Sequence, residues 1–202
     1  MAAGREGPLL NTRSPWPRTC AGLGLALLLG LAGGGAVAAE ESAVSEYRLK
    51  VAFLFRFTQF IEWPAAAWAR PDDAFVLCIL GPDPFGEALQ ELGSRRHGNR
   101  PLRLQYLATA REARGCQLVY VDKPSPRELG ELLAAVRDAP VLTVSSAPDF
   151  ADAGGGLGFV QAQGRLRFEV NLDGLRQSSL RPSAKLLEVA ARLVGPVKGR
   201  PE

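Results

Sequence analysis

The chain of 202 residues carries 24 lysines and arginines, 21 aspartates and glutamates and one histidine, which gives a formal net charge of +3. Three arginines and one glutamate of this total lie in the first 39 residues, so the remainder of the chain is close to neutral. A nucleic-acid-binding domain normally shows a basic stripe with interleaved aromatic residues. The near-neutral charge of residues 40–202 therefore argues against nucleic acid as a partner. The length of the chain fits one domain with a single core.

The first 39 residues have the pattern of a cleaved export signal. Arg13 and Arg18 precede an apolar segment at residues 21–31, and a run of small residues follows it. We expect a signal peptidase to cut after Ala38 or Ala39. An uncleaved membrane anchor is the alternative, because the apolar stretch up to the cut carries no charge.

The chain is accordingly predicted to consist of three parts. These are a signal peptide at residues 1–39, a single domain at residues 40–196 and a short C-terminal tail at residues 197–202. Export places the domain outside the cytoplasm, where ATP-dependent chemistry is excluded and a stable disulfide can form. After cleavage the domain would not insert into the membrane.

The order of predicted elements defines the fold class. Strands alternate with helices, which predicts an α/β layered sandwich with a central mostly parallel sheet, an antiparallel edge hairpin and flanking helices. The elements are helices at 41–63, 84–92, 126–137 and 183–194, strands at 75–80, 102–107, 116–122 and 140–145, and a hairpin of 157–161 with 166–172.

The first predicted helix is apolar around most of its circumference. Phe53, Phe57 and Phe60 form a second apolar stripe, Trp63 stands at its end, and Pro64 closes it. Such a helix is buried on two sides or lies in a subunit interface. We therefore predict that Phe53, Phe57, Phe60 and Trp63 contact a partner or a second copy of the chain.

Cysteine and histidine usage limits the chemistry. Only Cys78 and Cys116 remain after cleavage, and in an oxidising compartment this pair favours a disulfide; two buried thiols are the alternative. The single histidine, His97, lies in a polar turn that would not shield a catalytic base. No cluster of cysteine and histidine suggests a metal or haem site. The sequence therefore predicts neither an enzyme nor a cofactor.

One segment has the features of a ligand crevice. Asp83 and Gly86 lie where a buried strand ends and a helix opens, with Asp83 as the expected N-cap, and Arg165 and Arg167 could complete the site. A capped turn without a ligand is the alternative reading of this segment. A basic cluster elsewhere fits either a solvated face or a site for an anion or partner, and it comprises Arg95, Arg96, Arg100 and Arg103.

The order of these segments resembles the YfiR family. Residues 47–64 (YRLKVAFLFRFTQFIEWP) are similar to the opening helix of that family, which ends in an acidic residue, tryptophan and proline. The similarity extends over most of the chain to residue 194. It continues through residues 77–81, 83–86, 116–121, 141–145, 150–151, 155–159, 165–171 and 183–187.

The resemblance implies a bacterial periplasmic protein with an α/β fold that tends to form homodimers. The best-understood members of the family bind the periplasmic part of an inner-membrane diguanylate cyclase, restrain it and so lower cyclic di-GMP. Other members belong to other signalling or uptake systems, so a small-ligand sensor linked to a histidine kinase or an uptake system is the alternative. Cys78 and Cys116 match one of the family's redox-responsive cysteine pairs, whereas the second pair is missing here.

Overall fold

The computed structural model describes the backbone of residues 34–195 and the side chains of residues 45–195. Contacts divide the chain into two units, Met1–Ala39 and Glu40–Glu202. Most of the predicted export signal and the whole of the predicted tail lie outside the described residues, so the domain boundaries stay predictions. The following description concerns the second unit.

The described residues form α-helices, short 3₁₀ helices and ten strands. The α-helices are α1 Gly34–Phe60, α2 Glu87–Gln90, α3 Pro126–Ala135, α4 Leu172–Gln177 and α5 Ala184–Glu188, and the 3₁₀ helices are Ala65–Ala67, Glu91–Ser94 and Ala110–Gly115. The strands are β1 Ile61–Glu62, β2 Phe75–Leu80, β3 Arg96–His97, β4 Arg100–Leu107, β5 Leu118–Val121, β6 Leu142–Ser145, β7 Leu157–Ala162, β8 Arg165–Asn171, β9 Arg181–Pro182 and β10 Arg192–Val194.

Eight of these strands form one mixed sheet in the order β10-β8-β7-β6-β5-β2-β4-β3. The five strands β4, β2, β5, β6 and β7 run parallel. At one end β8 is antiparallel to β7 and β10 is parallel to β8, and at the other end β3 is antiparallel to β4. The predicted α/β fold with a mostly parallel sheet and an antiparallel hairpin is therefore confirmed.

Both faces of the sheet are covered, which explains the continuous apolar runs of its central strands. Leu77 of β2 packs on one face in the larger core cluster with Leu54 and Phe57 of α1. Cys78, the next residue of β2, points to the other face and packs with Leu132 of α3. Alternate residues of one strand therefore supply two cores, as the two-residue period of a strand requires.

Three local predictions agree closely with the structure. Strand β2 has the predicted bounds, and α3 begins at its predicted first residue, behind a capping box in which Ser125 and Glu128 each accept from the other's backbone N–H. The hairpin of β7 and β8 turns at Gln163 and Gly164, whose φ values are +54° and +70°. Two consecutive positive φ angles are typical of the type I′ turn that suits the twist of a hairpin.

The prediction of one helix over residues 183–194 is wrong in its second half. Helix α5 ends at Glu188, and the chain then runs as β10 beside β8. The Ala191 N–H donates to the Phe168 carbonyl at 2.8 Å. The backbone here therefore forms a hydrogen bond with β8 instead of continuing the helix. The short helix α4 was also not predicted; the Asn171 side chain caps it by accepting from the Gly174 N–H at 2.9 Å.

Two helix ends differ from the predicted positions. Helix α1 stops at Phe60, before the predicted end at Trp63, because Ile61 pairs with Pro182 in the two-stranded sheet of β1 and β9. Helix α2 begins only at Glu87. Asp83 is therefore not its N-cap: the Asp83 carboxylate accepts from the Phe85 N–H at 2.7 Å and closes a turn before the helix.

Candidate functional site

The aromatic residues of α1 belong largely to the core. Phe57 is fully buried, with its ring centroid 5.0 Å from Phe168 and 5.8 Å from Phe159. Phe53 and Phe60 are half-buried and pack against the same cluster. The prediction that Phe57 forms a contact surface is therefore corrected, because its side chain already fills the space between α1 and the sheet. Partner contact by Phe53 and Phe60 stays a prediction.

Trp63 fixes the end of α1 against the sheet. Its indole Nε1 donates to the Gln117 carbonyl at 3.1 Å, and its ring meets Phe75 edge-on at 4.9 Å. His97 lies beside the same rings, 4.8 Å from Phe75 and 6.1 Å from Trp68. The single histidine is therefore half-buried in an aromatic cluster. Trp63 keeps part of its surface exposed, and its contact with a partner stays a prediction.

Cys78 and Cys116 form a disulfide, with Cα atoms 6.1 Å apart. Both residues are buried, on the face of the sheet that α3 and the 3₁₀ helix Ala110–Gly115 cover. The bond ties β2 to the segment that enters β5, the strand next to it in the sheet. Such a bridge fits a domain that resides in an oxidising compartment.

The residues of the predicted crevice do not come together. Asp83 follows the end of β2, whereas Arg165 and Arg167 belong to β8, which lies four strands away in the sheet. Four strand spacings correspond to about 19 Å, which is too far for one small-molecule site. Arg167 instead donates to the Val189 carbonyl at 3.1 Å, and Arg165 is exposed. A single crevice of Asp83, Gly86, Arg165 and Arg167 is therefore wrong.

The structure instead places a cleft of about 480 Å³ at the carboxyl ends of β2, β4 and β5. From β2 the chain passes to β4 on one side and returns to β5 on the other, which makes a topological switch point. Doubly wound α/β folds bind ligands in such crevices. Of the predicted residues only Asp83 lines it. Its polar lining includes Asp83, Thr109, Asp122, Lys123, Glu128 and Glu131.

Two tyrosines hold carboxylates at this cleft. The Tyr106 hydroxyl donates to Asp83 at 3.0 Å, and the Tyr120 hydroxyl donates to Asp122 at 2.6 Å. Burial, reinforced by Asp122, raises the pKa of Tyr120 far above its ordinary value, so its proton stays in place. The carboxyl groups of Asp83 and Asp122 and the Lys123 side chain line the same cleft. It can bind a small polar ligand.

Sequence reasoning missed Asp122, Lys123 and Thr109, although all three lie at or just beyond the ends of predicted strands. The signal that would have found them is the strand order, because residues after β2, β4 and β5 meet only if these strands are neighbours. A second depression of about 570 Å³ contains Lys50, which is 4% exposed. The Lys50 ammonium pairs with Glu46 at 2.8 Å. Its apolar surroundings on α1 gave no sign of a buried ion pair.

Two features are absent from the part of the chain that the structure describes. Among the side chains of residues 45–195, no group of three or more histidine, cysteine, aspartate and glutamate residues is arranged to hold a metal ion. In the same part of the chain no helix has the length and apolar character needed to cross a bilayer.

The fold defines an α/β domain with a doubly wound core and one internal disulfide. A family model described as DUF4154, YfiR/HmsC-like, matches residues 47–191. The chain therefore belongs to the YfiR/HmsC-like family, as the sequence resemblance predicts.

Two solved structures are similar to part of this chain. A conserved domain protein from Vibrio cholerae O1 biovar El Tor is similar with a TM-score of 0.45 and 8% identity. The ABC domain from Streptococcus pneumonia, solved in complex with L-Trp, is similar with a TM-score of 0.42 and 9% identity. Each match covers 59% of this chain and 55% of the other, so the chain spans about half the length of these proteins.

Proposed function

We propose that the protein is a non-enzymatic periplasmic regulator that binds and restrains an inner-membrane signalling protein, namely a diguanylate cyclase. Membership of the YfiR/HmsC-like family over residues 47–191 is the observation that carries the proposal. The buried disulfide of Cys78 and Cys116 supports it, because such a bond persists in the periplasm and not in the cytosol.

Helix α1 supplies the proposed contact surface. Phe57 is unavailable, but Leu49 is 46% exposed and lies one turn before the half-buried Phe53. Residues four apart in a helix are neighbours on its surface, so these two side chains form one apolar strip. We assign the partner contact to this strip and to the exposed parts of Phe60 and Trp63. Formation of a homodimer through the same strip stays a prediction.

The experiment is to coexpress the full chain with the inner-membrane protein encoded by the adjoining gene and to measure cyclic di-GMP and copurification. The wild-type chain should lower cyclic di-GMP and copurify with the membrane protein. Leu49→Asp should lose both effects and keep its circular dichroism spectrum, because the side chain is exposed. Val189→Asp is the matched control, since Val189 is an equally apolar residue, 55% exposed, on another element.

Three outcomes would count against the proposal. An adjoining gene without a cyclase domain or an unchanged cyclic di-GMP level would reject the regulatory function. Equal loss with Leu49→Asp and Val189→Asp would reject α1 as the contact surface. Size-exclusion chromatography of the same variants tests the homodimer.

A small-ligand sensor is the second candidate, and the cleft at the switch point favours it. A carboxylate pair beside Lys123 suits a ligand that carries an ammonium and an anionic group. A thermal-shift screen of periplasmic metabolites should then find a compound that stabilises the wild-type chain and not Lys123→Ala. A flat screen, or equal stabilisation of both proteins, would count against a ligand at this cleft.

A further inference from the structure

Strand β4 forms one edge of the large sheet, and only its beginning is covered. The two residues of β3 pair with Arg100 and Pro101. The Leu102 N–H then donates to the Arg95 carbonyl at 3.1 Å. Beyond Leu102, no strand of the described part of the chain lies on the outer side of β4. An open segment of the edge therefore runs from residue 103 to residue 107.

The pairing with β2 determines which backbone groups face outward. The Gly81 N–H donates to the Leu107 carbonyl at 3.2 Å, so Leu107 and every second residue before it face β2. Leu104 and Tyr106 consequently point their N–H and C=O groups away from the sheet. Within residues 34–195 these four groups have no protein hydrogen-bond partner. They can accept another extended chain.

The strand at the opposite edge of the sheet carries an ion pair. Strand β10 pairs with the end of β8. The Arg192 guanidinium bonds to both Glu169 and Asp152, with its Nε 2.7 Å from the Glu169 carboxylate. Natural sheets usually protect exposed edges by coverage or charge. The edge strand β10 is short and ion-paired, whereas β4 has no strand on its outer side over five residues.

The open edge and the segment beside it carry three exposed arginines. Arg103 lies on the open edge, and Arg95 and Arg96 lie beside its covered beginning. Two carboxylates accompany them: Glu91 is on the 3₁₀ helix packed against β4, and Asp83 accepts a hydrogen bond from Tyr106. Pairing with the same edge of a second copy would bring the arginines of the two copies together. Pairing with an acidic strand would not.

We propose that the open edge of β4 binds an extended, acidic segment of a partner protein as an additional strand. The main-chain groups of Leu104 and Tyr106 would supply hydrogen bonds, and Arg103 would select for a carboxylate opposite it. The identification of the partner as the regulated membrane protein rests on the proposed regulatory function. Arg103 of the basic cluster thereby gains a role as the selective residue of this edge.

Substitutions of Tyr106 can test edge pairing without breaking the hydrogen bonds between β4 and β2. Tyr106→Pro removes the outward N–H and places a ring where the added strand would lie, but it leaves the bonds to β2 intact, since those belong to the alternate residues. Tyr106→Val is the matched control. It loses the same hydroxyl contacts to Asp83 and Gln90 but keeps the outward N–H.

The probe is a synthetic peptide of alternating glutamate and valine, titrated into the full chain and followed by amide chemical shifts. We expect shifts at Leu104 and Tyr106 in the wild-type chain, binding about tenfold weaker for Tyr106→Pro, and near-wild-type binding for Tyr106→Val. Arg103→Gln should weaken binding without changing the fold. A peptide of alternating lysine and valine should not bind.

The outcomes separate this proposal from the regulatory function. No peptide binding by the wild-type chain at millimolar concentration, or equal binding by Tyr106→Pro, overturns the edge proposal even if cyclic di-GMP control is intact. A wild-type dimer that Tyr106→Pro dissociates would assign the edge to a second copy and also overturn it. An unchanged cyclic di-GMP level with normal peptide binding would reject the regulatory function alone.

Discussion

At the scale of single residues, Gln117 connects three parts of the fold. Its side-chain oxygen accepts from the Val76 N–H at 2.8 Å, and its side-chain nitrogen donates to the Ala67 carbonyl at 2.9 Å. Its own carbonyl accepts from Trp63. A buried amide with all these partners holds the segment after α1 against the entry of β2.

We predict that Gln117→Ala lowers the free energy of unfolding by about 2–3 kcal/mol, because two backbone groups lose their partner in a largely buried place. Urea denaturation measures the change. Gln105→Ala is the control, since Gln105 is exposed on β4 and should cost less than about 0.5 kcal/mol. Equal stability of the two variants would contradict the role given to Gln117.

His97 gives the fold a pH dependence of known sign. Burial among aromatic rings lowers the pKa of His97 below its ordinary value of 6.5, and the charge of Arg100 lowers it further, against a hydrogen bond to the Thr58 backbone. The His97 Nδ1 atom is buried without a partner. The unfolded chain therefore binds this proton more readily than the folded chain does.

Stability should accordingly decrease as the pH falls from about 6.5 towards the folded-state pKa, where the loss is complete. We predict a drop in melting temperature between pH 7.5 and 5.5 for the wild-type chain and a flatter profile for His97→Phe. His97 is the only histidine in the sequence, so no other imidazole titrates in this range. Parallel profiles would show that His97 is not responsible.

At the scale of elements, β10 is a three-residue strand that depends on one side chain. Arg192 bonds to Asp152 and Glu169, and these contacts raise the pKa of Arg192 and lower that of Asp152. A guanidinium binds carboxylates through a rigid planar fork of donors, whereas an ammonium is a compact charge without that fork. Strand β10 is therefore attached to β8 by the ion pairs of Arg192 as well as by backbone hydrogen bonds.

We predict that Arg192→Ala and Arg192→Lys both speed hydrogen exchange at Ala191, whose N–H donates to the Phe168 carbonyl, and leave exchange in β5 unchanged. Arg127→Ala is the control, because Arg127 also forms an exposed ion pair, with Glu131, but lies on α3. Unaltered protection at Ala191 would show that the backbone pairing alone holds β10.

At the scale of the whole molecule, the disulfide fixes β2 to the entry of β5 within one of the two cores. The cysteines are 38 positions apart. On the chain-entropy model, closing a loop of this size stabilises the folded state by about 4 kcal/mol. The single bridge lies in the interior, which favours a structural role over a redox switch.

Replacement of both cysteines by alanine should therefore lower the free energy of unfolding by about 4 kcal/mol, measured by urea denaturation. The same shift should follow when the wild-type chain is unfolded with a reductant, whereas the reductant should not affect the double variant. A stability that is indifferent to the reductant in both proteins would contradict the contribution given to the bridge.

The sequence predicts well where the structure is decided locally. The apolar run of β2, the capping box of Ser125 and the turn at Gln163 and Gly164 depend on neighbouring residues, and all three agree with the structure. The second half of the predicted helix at residues 183–194 instead forms β10, because it pairs with the edge of β8. The local sequence contains no sign of that pairing. The prediction of the crevice was wrong for the same reason, because the order of the strands in the sheet decides which loops lie close together.

The disulfide also determines what a protease can do to this molecule. The turn at Gly98 and Asn99 and the exposed Arg96 lie between the two cysteines. A cut there opens the polypeptide but leaves both fragments covalently joined, so clipped protein should migrate as one band without reductant and as two bands with it. The basic edge of β4 could thus be severed on one side and still remain attached to the body of the fold.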